Sequence, residues 1–150
     1  MNRFRIPIGD WSGDGHGRTT EYIIESNKTV EEVRELYFEA IIKLGFSLDG
    51  NGYLDKLSPC VEYGESTMSP DTVKALREFG ITISDERLIS WTEDYVEKDD
   101  LCQLVLDVIK TQDKDLDIRI IPKKELPMLQ FYGYDSQKRH IGYFGYGLFE

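Results

Sequence analysis

Histidine and cysteine are scarce in this chain, with two of each in 150 residues. That scarcity removes several familiar site chemistries at once. Cys60 and Cys102 form no CxxC pair, so a dithiol redox motif and a zinc ribbon are excluded. Both cysteines read as reduced, buried thiols, with no local pattern of an activated nucleophile. His16 and His140 stand far apart and no HExxH occurs, which excludes a zincin helix. Neither GxGxxG nor GxxxxGK[ST] is present, so the two common glycine loops for phosphate are missing and a doubly wound fold is disfavoured. No GxSxG elbow occurs either. No run of eighteen apolar residues exists to span a membrane. The opening MNRFRIPIGDW lacks the apolar core of a signal peptide, so the expectation is a cytoplasmic protein with no membrane role.

Basic residues are also in deficit. Eighteen Lys and Arg face 28 Asp and Glu, for a formal net charge of −10. The imbalance is local: residues 85–117 carry eleven acids against four bases. Nucleic-acid binding needs clustered cations to displace counterions, and beyond Lys123–Lys124 and Lys138–Arg139 there are none, so nucleic acid is excluded as a partner. A basic protein is the partner that this charge would attract.

What is present is a chain with 40% apolar residues, enough for the core of one domain over residues 1–150. In Arg3–Ile8, Phe4, Ile6 and Ile8 alternate with Arg3, Arg5 and Pro7, the period of a strand with one buried face. Pro7 lacks an N–H and points to an edge position or a non-bonded site. Thr19–Glu25 is a second strand, making a hairpin. Thr29 with Glu32 forms a capping box for a helix over 29–44, whose stripe is Val33, Leu36, Tyr37, Ala40, Ile41 and Leu44. Asp49-Gly50-Asn51-Gly52 is a turn between short strands, and residues 58–68 read as irregular. Ser69 and Pro70 start a helix carrying Val73, Leu76 and Phe79, which Gly80 ends. Ile81 and Ile83 suit a brief strand. Residues 84–98 fit either a helix from Ser84 or a strand through Leu88–Trp91. A helix capped by Asp99 or Asp100 runs to Lys110. Strands at Leu116–Pro122, Leu126–Tyr134 and Arg139–Phe149 close the pattern. The fold expectation is α+β, a mainly antiparallel sheet with about three helices packed on one face.

One segment stands out chemically: Gly9–Gly17, reading GDWSGDGHG. Asp10, Ser12 and Asp14 fall at positions one, three and five of a calcium-loop ligand pattern, with His16 at seven and Glu21 at twelve. Alternate positions turn oxygens toward one hard cation, and Gly15 permits the sharp turn. The pattern resembles the ligand spacing of an EF-hand loop over twelve residues only. Both flanks read as strands, and Gly17 occupies the position where a small apolar residue is usual. Asp10, Asp14 and His16 would alternatively suit zinc or manganese, with His140 as a fourth candidate, and such a metal would activate water for hydrolysis. Without metal, the amides would form an anion nest beside Arg18, or Trp11 would anchor an interface. A plain turn also accounts for the composition, since Asp and Ser cap local amides. Glu62 and Glu65, flanking Gly64, are a weaker carboxylate pair.

These observations favour a non-catalytic protein-binding domain, such as a small acidic inhibitor or immunity-type protein acting on a basic partner. The alternatives are a metal-dependent hydrolase or metal-binding domain centred on Gly9–Gly17, and a self-associating domain. In the last case, the glycine- and aromatic-rich final strand would extend a sheet across a two-fold axis and make a homodimer.

Overall fold

A computed structural model describes residues 1–11, 17–44, 60–62, 65–68, 70–94, 96–125 and 142–143; of residues 7–11, 17–20, 60–62, 65–67 and 142–143 it describes the backbone. The alternating N-terminal segments form the expected hairpin. Strand β1 (Asn2–Trp11) pairs antiparallel with β2 (Gly17–Ser26), residue for residue from Asn2↔Ser26 to Trp11↔Gly17. Helix α1 (Val30–Lys43) follows. A small hairpin, β3 (Cys60–Glu62) with β4 (Glu65–Thr67), precedes α2 (Pro70–Phe79), α3 (Asp85–Glu93) and α4 (Lys98–Lys110). Strand β5 (Ile118–Ile120), a single 3-10 turn at Lys123–Glu125 and β6 (Gly142–Tyr143) complete the described elements.

The main sheet has the order β5-β2-β1-β6. Strand β5 joins β2 antiparallel, and β6 joins β1 in parallel at Phe4↔Gly142 and Arg5↔Tyr143. At Pro7, β1 has a described neighbour only on the β2 side, which fits a residue without an N–H.

The expectation of a mainly antiparallel sheet with about three helices on one face is corrected. The molecule is a small α+β domain dominated by helix. Among the described residues four helices of 14, 10, 9 and 13 residues outweigh strands of which only β1 and β2 exceed three residues. The physical reason lies in three segments. Residues 84–98 are helical at Asp85–Glu93, where Ser84 Oγ accepts the Arg87 N–H at 3.1 Å and starts the helix. Ile81 and Ile83 are buried but belong to no strand; their alternation reflects two anchors dropped into the core from an irregular connection. Helices α2 and α3 pack on each other, with α3 also against β4, so the helices do not share one sheet face. A second correction concerns residues 58–68, which were expected to be irregular and contain the β3–β4 hairpin. The expected turn at 49–52 and the strand at 126–134 lie outside the described residues.

Alternation decides the core. Phe4, Ile6 and Ile24 lie on the sheet face covered by α1 and α4, and all three are fully buried. Val33, Tyr37, Ala40 and Ile41 supply the inward stripe of α1. Helix α4 has a wide apolar face, burying Leu101, Cys102, Leu104, Val105, Leu106, Val108 and Ile109, and only a narrow polar stripe through Gln103, Asp107 and Lys110. With an apolar face that wide, α4 joins α1 and the sheet to a core that also takes in Val73, Leu76, Ile81, Ile83 and Trp91.

Polar groups fasten the periphery. Asn27 clips the start of α1 to the segment before β5: its N–H reaches the Asp117 carbonyl at 3.1 Å, its Nδ2 the Asp115 carbonyl at 3.1 Å, and its Oδ1 accepts the Asp117 N–H at 3.0 Å. Beside it, Lys28 Nζ pairs with Asp113 at 3.2 Å. On the sheet face away from α1 and α4, Arg3 and Arg119 both pair with Glu25, and Arg5 pairs with Glu21.

Candidate functional site

The acidic stretch from residue 85 onward owes its shape to two helix starts. Arg77 of α2 donates to the Ile83 carbonyl through Nη2 at 2.7 Å and Nε at 3.2 Å, and its Nη2 also reaches Asp85 Oδ1 at 3.2 Å. That contact fixes the approach to α3. Asp85 and Glu86 then occupy the first turn of α3, and Asp99 and Asp100 the first turn of α4, where the amide ends of a helix favour negative charge. Because α3 ends at Glu93 and α4 begins at Lys98, the connection is short and the two helices enclose a groove.

The groove has a volume of about 340 Å³ and is lined by Ser84, Glu86, Arg87, Ser90, Trp91, Asp94, Glu97 and Asp100. Four carboxylates therefore surround one guanidinium. Trp91 contributes an aromatic wall while remaining 2% exposed, held by the core on its other side. Arg87 lies one helical turn before it, with its guanidinium 5.8 Å from the ring centroid and 3.6 Å from Asp100 Oδ1. Both contacts are long, and the Arg87–Asp100 pair is half-exposed, worth about 0.5–1 kcal/mol at most. The resident cation is thus lightly held in a groove whose formal charge remains negative.

Next to the groove, the first turn of α4 is tied to the sheet. Tyr22 of β2 donates its hydroxyl to Asp99 Oδ1 at 2.5 Å. Burial, then the hydrogen bond to Asp99, pushes the Tyr22 phenol well above its ordinary range. Burial and the Asp99 charge likewise push the Cys102 thiol up. A thiol held protonated inside the core is no nucleophile, in agreement with the sequence reading of that cysteine.

The described residues of the Gly9–Gly17 segment are strand. Gly9, Asp10 and Trp11 belong to β1 and Gly17 to β2, with Gly9↔Thr19, Asp10↔Arg18 and Trp11↔Gly17 as ladder pairs. Both ends of the twelve-residue calcium-type pattern are therefore extended backbone, which extends the strand flanks read from the sequence. Glu21, the pattern's last position, sits opposite Pro7, and its Oε2 accepts from Arg5 Nη1 at 3.3 Å. Ser12, Asp14, His16 and His140 lie outside the described residues. Among the described residues no group of three or more His, Cys, Asp or Glu side chains is arranged to hold a metal ion, and no helix is long and apolar enough to cross a membrane. Glu62 and Glu65 are the closing backbone pair of the β3–β4 hairpin.

Sequence reasoning missed Glu86, Arg87, Trp91, Asp94, Glu97 and Asp100 as a group. Their acid density is visible in the sequence, and so is the i,i+4 spacing of Arg87 and Trp91, but convergence requires two consecutive helices, and residues 84–98 by themselves suit either helix or strand. No family model matches the chain, and neither a curated protein nor a solved structure matches it.

Proposed function

We propose that this chain is a non-catalytic protein-binding domain that offers the α3–α4 groove to a basic partner protein. The observation that carries the reading is the composition of the groove: four carboxylates and an aromatic wall around a single, weakly held guanidinium. The net charge of −10 supports it, since long-range attraction speeds encounter with a cationic surface. An arginine of the partner fits this chemistry better than a lysine, because a planar guanidinium both stacks on an indole and pairs with carboxylates. In binding, it would take the place of Arg87 beside Trp91 and Asp100. An inhibitor-type role is the form this reading takes when the partner is a basic enzyme.

The test is titration of the full chain with an arginine-rich peptide, with a lysine-matched and a glutamate-containing peptide as controls. The expected result is binding in the order arginine, lysine, glutamate, weakening as salt is raised. The double variant Glu97→Gln, Asp100→Asn weakens arginine-peptide binding about tenfold, the size of one lost charge-pair coupling. Unchanged affinity in that variant, with its circular dichroism spectrum intact, overturns the assignment of this groove.

A further inference from the structure

We draw no further inference here: the strongest candidate beyond the groove, the sheet face away from α1 and α4 where Ile23 and Ile121 are buried beside the Arg3–Glu25–Arg119 ion pairs, carries nothing because no contact among the described residues shows what covers it.

Discussion

Tyr22 and Gly80 each solve a problem that no neighbouring residue type would solve as well. The Tyr22 ring packs against the core while its hydroxyl leaves it to meet Asp99. Its phenol is held above the ordinary value near 10, so the folded chain keeps a proton that the unfolded chain releases above about pH 10. The Tyr22 contribution to stability is therefore complete below that pH and declines as pH rises toward the folded value. Tyr22→Phe is expected to cost about 1 kcal/mol at neutral pH for the lost hydrogen bond. It should also show a smaller fall in urea midpoint between about pH 8 and about pH 11 than the parent chain; equal falls would remove Tyr22 from the alkaline transition.

Gly80 ends α2 with φ +109. Its N–H reaches the Arg77 carbonyl at 3.1 Å, and the Ile81 N–H reaches back to Leu76 at 3.0 Å, the paired bonds of a Schellman stop. A Cβ at Gly80 would meet no atom within 4 Å, so the penalty for adding one is confined to the backbone. Gly80→Ala should lower stability by about 1–2 kcal/mol in chemical denaturation. Gly80→Asn should lose less, because Asn tolerates positive φ better.

At the scale of elements, the starts of α1 and α3 were legible because capping is local chemistry, whereas α4, expected to be capped by Asp99 or Asp100, is preceded by Glu97, which makes no side-chain cap, and holds both aspartates inside its first turn. In α1, Thr29 Oγ1 accepts the Glu32 N–H while Glu32 Oε1 accepts the Thr29 N–H, both at 3.3 Å, as the Thr-x-x-Glu spacing implies. Thr29→Ala should cost about 1 kcal/mol in thermal or urea unfolding; a cost near zero would mean that solvent caps the helix equally well. The α3 segment was ambiguous because Leu88–Trp91 is a short apolar run that suits strand or helix, and periodicity alone does not separate them. Trp91 and Val96 at the core, with Ser84 as cap, resolve it. Strand β6 was legible as strand-forming sequence, but its parallel pairing with β1 was not, since nothing near Gly142 encodes a register against Phe4. The groove was hidden for the same reason: it is a property of α3 and α4 together, not of either segment.

Over the whole molecule, stability also rests on contacts between distant parts of the chain. Lys28–Asp113 beside the Asn27 clip is the clearest case, joining the β2–α1 corner to the α4–β5 connection. The Asp113 carboxyl is held below the ordinary aspartate range, first by the Asp115 N–H that it accepts at 2.9 Å, then by Lys28. A depressed carboxylate adds stability above its unfolded value and loses it as pH falls through the folded one. Asp113→Asn should therefore narrow the difference in denaturation midpoint between about pH 7 and about pH 3. A difference as wide as the parent's would assign acid sensitivity to other carboxylates.

The parallel pairing of β1 with β6 has a consequence for how the protein is made. A hairpin such as β1–β2 zips within microseconds of leaving the ribosome, but its partner strand at Gly142–Tyr143 is synthesised on the order of ten seconds later. Through that interval the backbone of Phe4 and Arg5 waits without its described neighbour, a template for any passing strand. Arg3 and Arg5 flank the waiting Phe4 and Pro7 follows close behind, the kinds of residue that discourage wrong pairing at an open edge. Charge and proline at this edge thus guard the site that β6 fills last.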